Sequence, residues 1–478
     1  MTEAERIRKN SFYSFLTVSS RLIANVFLFW IIARLYGPDV FGQFTTAQVL
    51  ATNFIILADF GFDILLTTEV AKNRNYAIKI FQQFFSLKII FCSIALLLMN
   101  ITGLLGDFSF QTKNLIFILS FYMVFSSLSN FLSALFKGFE KLEYETRITL
   151  LMNLLLILLA LPLILLKINI YVIALIFVFT RLIGFMLGIF YSKSLISGIA
   201  YKFILVGFNK IRNKVLVFGL FLLFNNLFFQ LDTILLSLWK NDNEVGIYQA
   251  VFKLIMLPLV IPDIITNTLL PTLSRLNHEN REQWIKIGKF INKLLIGIVI
   301  PIAIIMFVYS EQIIELIYGS KNYLSSMNIL RIFSLILFIR FSFEAHALML
   351  TTSDKQHLRL FTVLAATLIN LGMNYIFIPI YGALGAALVS LVTNVFVSII
   401  YFVINVKIFA DNKINRRTIL YLLISLLVAL VLWQYKKLNI LLSAIILSLI
   451  FLLYMYYFYF TDEEKKLLLS PNNRLIKK

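Results

Sequence analysis

The sequence predicts an all-α protein that threads a membrane about fourteen times, and three observations carry that expectation. Of its 478 residues, 60% are apolar and 14% are charged, and mean hydropathy is +0.89; soluble domains are roughly half apolar and a quarter charged. Apolar stretches long enough to cross a hydrocarbon core, about 18 residues or more, recur from one end of the chain to the other. The basic residues between these stretches fall mainly on alternate sides. Placing the N-terminus inside puts 30 of the 43 Lys and Arg residues in inner segments and 7 in outer ones, with 6 left inside the spans. That asymmetry is the positive-inside rule, with both termini in the cytoplasm. The net charge of +19 is therefore topological, and no nucleic-acid partner is expected.

Taken in order, the spans read 12–35, 40–62, 78–102, 114–136, 148–166, 170–191, 215–239, 245–270, 290–310, 326–350, 358–378, 382–406, 418–435 and 438–460. The opening segment "MTEAERIRKNSF" is charged, and no small-residue cleavage site follows the first span, so that span reads as a retained helix. The single Cys92 lies inside the third span and the three histidines are scattered, which excludes a disulfide framework and a zinc cluster. No phosphate-binding loop of the G-x-x-x-x-G-K-[S/T] kind is present, and no cofactor is expected. The longest polar linker, 192–214, separates the first six spans from the next six. The expected organisation is an N-terminal lobe at 1–200, a C-terminal lobe at 201–410, and two further spans with a cytoplasmic tail at 411–478. "YMYYFYF" (454–460) closes the last span as an interfacial aromatic belt.

A repeat relates the two lobes. At an offset of 204 residues "DVFGQFTTAQVL" (39–50) overlies "NEVGIYQAVFKL" (243–254), which matches Gly42 with Gly246 and Phe44 with Tyr248. The same offset places Asp59 on Asp263, Leu65 on Leu269 and Thr68 on Thr272. At an offset of 217, Asn153 falls on Asn370 and Pro162 on Pro379. Parallel repeats with substrate held at their interface are a transporter architecture.

Ionisable residues inside spans cost about 2.5–3.5 kcal/mol each at a helix centre, so they should face water or a partner. Ser11, Ser14, Thr17, Arg21 and Asn25 follow helical 3–4 spacing, as do Thr45, Gln48, Thr52, Asp59 and Asp63 in the second span. The eighth span repeats the pattern with Gln249, Lys253, Asp263 and Asn267, and the seventh carries Asn225, Asn226, Gln230, Asp232 and Thr233. These four spans are expected to line a polar cavity. The substrate-binding candidates are Arg21, Asn25, Gln48, Thr52, Asp59, Lys88, Arg181, Asn225, Asn226, Asp232, Gln249, Lys253 and Asp263. Asp59, Asp63, Asp232 and Asp263 are also candidates for a gate or for ion coupling. Plainer readings stand beside these. Arg340 and Glu344, four residues apart, would neutralise each other. Lys88 would snorkel to the interface, and Asp63 would cap or pair locally at the end of its span. Asp59 would balance Arg21 and Lys253 or close an inner gate between lobes.

Several segments together resemble the polysaccharide transporter family: "YGPDVFGQF", "ADFGFDILLTTEVAKNR", "LFKGFEKLEY", "QLDTILLSLWKNDNEVGIYQAVFKL", "YGSKNYLSSMNILR" and "NYIFIPIYGALGAALVS". That family includes the O-antigen and capsule repeat-unit flippases of the multidrug/oligosaccharidyl-lipid/polysaccharide exporter superfamily. The resemblance runs in order from about residue 10 to 410. It implies a two-lobed, V-shaped transporter in the bacterial inner membrane, not an enzyme. Such a transporter moves undecaprenyl-diphosphate-linked oligosaccharide outward by alternating access, driven by membrane potential or an ion gradient. Its expected partners are the lipid-linked substrate, membrane lipids and a polysaccharide polymerase. The two extra spans would suit a groove for the lipid tail. A multidrug or cation exporter with ion antiport, a lipid II flippase and a membrane polymerase or ligase are the competing assignments. Short outer loops argue against the last.

Overall fold

In a computed structural model, residues 3–195, 208–319, 321–353, 355–409, 416–434 and 439–469 are described. Most of the linker 192–214, the tail beyond 469 and the side chain of Asn225 lie outside these residues. Among the described residues every regular element is helical. They run α1 (Glu3–Asp59), α2 (Phe62–Lys72), α3 (Ala77–Leu105), α4 (Phe110–Gly138), α5 (Leu142–Leu165) and α6 (Ile170–Leu195). There follow α7 (Phe208–Trp239), α8 (Asp242–Glu279), α9 (Arg281–Val308), α10 (Ser310–Tyr318) and α11 (Ser326–Thr352). The chain ends with α12 (Gln356–Phe409), α13 (Arg416–Gln434), α14 (Ile440–Tyr454) and α15 (Asp462–Leu469).

Helix is the only open-chain way to satisfy a backbone in lipid, because each N–H finds its partner within its own segment. Eleven described helices are long and apolar enough to cross a membrane. Two of these, within α1 and α12, are long enough to cross twice, and each bends at one glycine, Gly37 (φ 79°) and Gly382 (φ 57°). Gly37 has open space around it, so the backbone angle is what requires glycine there, and Pro38 restarts the helix immediately after it. Dividing those two at their glycines and counting α7, 32 residues long, gives the fourteen crossings that hydropathy predicts. The bends fall between the expected first and second, and eleventh and twelfth, spans.

Contacts group the chain into two compact units, Met1–Ala250 with Ile378–Ala383, and Val251–Phe377 with Leu384–Lys478. In the first, Phe62, Leu66, Phe81, Phe131 and Leu135 are completely buried where α2, α3 and α4 meet. Phe29, Phe44 and Phe177 form a second aromatic cluster, with ring centroids 5.3–6.5 Å apart, and join α1 to α6. In the second unit α9 packs on α11, and Trp284 Nε1 donates to Thr352 Oγ1 at 3.0 Å. The C-terminal helices are fastened to α9 by polar contacts. Tyr421 donates to the Gly297 carbonyl (2.9 Å), Tyr459 donates to the Lys293 carbonyl (3.1 Å), and Lys293 pairs with Glu464 at 2.7 Å. The expected aromatic belt is thus divided: Tyr459 and Phe460 turn inward, while Tyr456, Tyr457 and Phe458 stay exposed. Exposed leucines at 423, 426, 427 and 430 give α13 a face suited to lipid.

Phe131→Ala removes a ring that has no exposed surface and lies tilted against Phe81 with centroids 5.5 Å apart. It should cost about 3–5 kcal/mol and lower the unfolding midpoint of the detergent-solubilised protein. Phe121→Ala, on the exposed side of the same helix, should leave the midpoint nearly unchanged.

Candidate functional site: a charged pocket in the first unit

Asp59 and Asp63 do not share a continuous helix. The chain turns between them at Phe60 (φ 35°) and Gly61 (φ 84°), which ends α1 and starts α2. The two carboxylates nonetheless converge on one cation. Lys88, from α3 and with no exposed surface, makes ion pairs with Asp59 and, at 3.1 Å, with Asp63. Ser127 Oγ of α4 donates to Asp59 Oδ1 at 2.7 Å, and Cys92 lies 3.5 Å from the same hydroxyl. An ammonium this deep is tolerated only when paired and hydrogen-bonded. Two expectations are corrected here. Lys88 does not snorkel, because its partners hold it inside. Asp59 pairs with Lys88 of α3, while Arg21 pairs with Glu145.

Asp63 presents its other side to a pocket of about 430 Å³, lined also by Arg21, Thr67, Thr68, Asn130, Ser133, Lys137 and Glu145. Glu145 is the organising anion. Its buried Oε1 sits 3.2 Å from both Arg21 Nη2 and Lys137 Nζ, while those cations keep 38% and 45% of their side chains exposed. Thr149, one turn along α5, accepts a second contact from Arg21 at 3.4 Å. Arg21 Nε is buried without a hydrogen-bond partner. The pocket therefore offers cationic donors whose charge is only partly used by the protein, framed by hydroxyl and amide groups.

The polar stripe on the first limb of α1 serves two purposes. Thr17 and Ser20 face α5, where they meet Thr146 (2.8 Å) and Asn153 (2.8 Å), and Arg21 reaches Glu145; Asn25 is exposed one turn further on. Gln48 donates to Thr52 at 3.1 Å on the second limb, and Asn226 of α7 donates to Asn53 at 2.8 Å. Asp232 and Gln249 are buried, bonded to Tyr248 (2.8 Å) and Thr233 (2.6 Å) between α7 and α8. Arg181 lies over the Tyr122 ring at 5.3 Å. Lys253 is half-buried and Asp263 exposed, both on the part of α8 in the second unit. Arg340 donates to Asn394 at 2.9 Å, and no contact ion pair joins it to Glu344 among the described residues.

Sequence reasoning missed Lys137, Glu145, Thr149, Asn130 and Ser127. The signal was present, since Glu145, Thr149 and Asn153 step by four along α5. Hydropathy starts that span at 148, whereas the helix starts at Leu142, so Glu145 lies outside the apolar run.

Residues 7–277, more than half of the chain, match the family described as "Polysaccharide biosynthesis protein". The chain belongs to that family. Residues 218–376 also match the family described as MatE. Among solved structures, the fold is similar to "Lipid II flippase MurJ, inward closed conformation", with TM-score 0.72 and 17% identity over 93% of this chain and 98% of that one. It is similar as well to an inward-facing multidrug resistance MATE family transporter of the MOP superfamily, with TM-score 0.64 and 14% identity over 81% and 96%. A MOP superfamily transporter from Pyrococcus furiosus follows at TM-score 0.55 and 14% identity over 85% and 96%. No curated protein matches the sequence. The protein is a multi-pass membrane protein with the fold of the MOP transporters.

Lys88→Met removes the cation shared by two partly buried carboxylates and should destabilise the protein by about 3 kcal/mol. The same substitution combined with Asp59→Asn and Asp63→Asn should recover most of that loss, as read by thermal unfolding in detergent.

Proposed function

We propose that this protein is a flippase that carries an undecaprenyl-diphosphate-linked oligosaccharide, an O-antigen or capsule repeat unit, from the cytoplasmic to the outer leaflet of the bacterial inner membrane by alternating access between two lobes. The observation that carries this reading is the pocket in which Arg21 and Lys137 share one carboxylate beside Thr67, Thr68, Asn130 and Ser133. A diphosphate leaving water needs cationic donors, and a guanidinium can meet it through two parallel hydrogen bonds. An incoming phosphate can draw both cations from Glu145 without the protein having kept a bare charge beforehand. Hydroxyl and amide side chains match sugar hydroxyls, while the polyprenyl tail stays in lipid. The charge asymmetry puts the pocket wall near the cytoplasmic ends of the helices, since Lys137 borders an inner segment.

Moving an anion outward is favoured by an inside-negative potential by about 2.3 kcal/mol per charge per 100 mV, so the potential alone can supply the drive. Antiport of an ion through Asp59, Asp63, Asp232 or Asp263 is the alternative drive, and Lys253 in the second unit remains a candidate for the same phosphate chemistry. The match of residues 218–376 to MatE favours a second reading, a cation exporter with ion antiport. The likeness in fold to a lipid II flippase leaves lipid II as the less favoured lipid-linked cargo.

Deleting the gene in its host and extracting lipid-linked glycans separates these readings. Accumulated undecaprenyl-diphosphate oligosaccharide with loss of surface polysaccharide supports the flippase. Unchanged glycans with new sensitivity to cationic dyes support the exporter. In the complemented strain Arg21→Ala should lower surface polysaccharide about tenfold or more, and Arg21→Lys should restore it in part, because a lysine supplies charge without the bidentate geometry.

A further inference from the structure

One cation of the second unit has only neutral partners. Arg331 lies five residues inside the end of α11 that the charge asymmetry assigns to the outside. Its Nε donates to Ser310 Oγ at the start of α10 (3.0 Å), and its Nη1 donates to Asn328 Oδ1 on α11 (3.1 Å). The guanidinium lies over the Trp433 ring of α13, 4.9 Å from its centroid. Trp433 in turn leans on Phe307 at the end of α9, with centroids 5.8 Å apart. All five residues belong to the one compact unit.

Among the described residues no carboxylate lies within ion-pair distance of Arg331, the exposed Glu311 and Glu315 of α10 included. A guanidinium carries five N–H donors, and the contacts above use two. In water such a group would need nothing more, but its depth is different. The 27 residues of α11 span about 40 Å against a hydrocarbon core of about 30 Å. Arg331, about 8 Å below the outer end, therefore sits near the boundary between headgroups and hydrocarbon. An ionised side chain at that level needs a partner, and the anions that a membrane holds there are lipid phosphates. The surroundings face lipid. Trp433 keeps 39% of its surface exposed, and its neighbours on α13, Leu430 and Val431, are exposed as well. The sequence adds positive charge at the same corner. Of the seven basic residues in outer segments, Lys321 falls between α10 and α11, and Lys436 and Lys437 follow α13.

We infer that Arg331, held against Trp433, is a binding site for the phosphate of a membrane lipid in the outer leaflet. The remaining Nη hydrogens donate to the phosphate oxygens, and Trp433 with its apolar neighbours meets the adjoining lipid chain. An arginine that merely snorkels extends freely toward water. This one is fixed by an aromatic face, a hydroxyl and an amide, so little side-chain freedom is left to lose when the phosphate arrives. The ligand is a phosphate on an apolar anchor, which an anionic phospholipid of the leaflet and a polyprenyl diphosphate both supply. The site lies outside the pocket of the first unit and does not depend on the cargo carried there.

The full-length protein in neutral detergent is titrated with phosphatidylglycerol, and bound lipid is counted by native mass spectrometry, with diacylglycerol as the phosphate-free probe. The unaltered protein should retain one phosphatidylglycerol under conditions that strip diacylglycerol. Arg331→Gln should weaken that binding about tenfold or more, Arg331→Lys by less, and Trp433→Leu about threefold. Lys113→Gln, which removes a different outer cation at the start of α4, should leave it unchanged. Arg331→Lys and Trp433→Leu carry the test if Arg331→Gln does not fold. In competition, displacement by equimolar undecaprenyl diphosphate assigns the site to the polyprenyl lipid, and retention of phosphatidylglycerol assigns it to the phospholipid. Inorganic pyrophosphate should displace neither. Equal binding by the Arg331 and Trp433 variants and the unaltered protein overturns the site. So does an equal loss in Lys113→Gln, which would mean diffuse attraction to surface charge, and so does displacement by pyrophosphate as effective as by a lipid.

Discussion

The Lys88 ammonium, shut away from water between Asp59 and Asp63, fixes the rest of the first unit. One buried cation ties the end of α1, the start of α2 and the middle of α3 together, and the Ser127 hydroxyl brings in α4. None of these groups is affordable alone in a low-dielectric interior, so each is present because the others are. The turn at Phe60 and Gly61 follows from this constraint. It lets two carboxylates from different helices reach the same ammonium, and it turns the outer side of Asp63 toward the pocket.

Around that anchor the pocket is built on shared charge rather than free charge. Glu145 satisfies Arg21 and Lys137 well enough to fold and leaves both partly exposed. An arrangement of this kind can exchange an internal carboxylate for an external phosphate with little change in net electrostatic energy. That is the requirement for a carrier, which must both bind and release. Tight burial of the two cations would have made the site inert, and full exposure would have left it screened and weak.

Much of the fold was legible in the sequence, because lipid imposes a single secondary structure and hydropathy counts its crossings. The fourteen spans and the repeat that matches Gly42 with Gly246 follow from composition and spacing, whereas the continuous helix that bends at Gly37 between the first two spans does not. The site was legible only in part. The stripe containing Arg21 and the pair Asp59 and Asp63 stood out because charge is rare in apolar helices. Their partners did not. Whether Lys88 snorkels or pairs depends on which helix lies beside it, and helical spacing says nothing about neighbours. Glu145 escaped because its helix begins six residues before the apolar run does, in a stretch that reads as loop. For Arg340 and Glu344, four residues apart, spacing suggested a contact pair and gave no sign of the Asn394 amide that Arg340 meets.

The central claim is that this chain moves a lipid-linked glycan between leaflets, and reconstitution tests it most directly. The purified protein would be placed in liposomes whose undecaprenyl-diphosphate oligosaccharide is accessible to an impermeant glycan-modifying enzyme only from one face. Under an applied membrane potential, the protected fraction should become accessible at a rate that depends on the protein and falls in the Arg21→Ala variant. Accessibility that rises no faster than in protein-free liposomes, with folded protein present, would contradict the account.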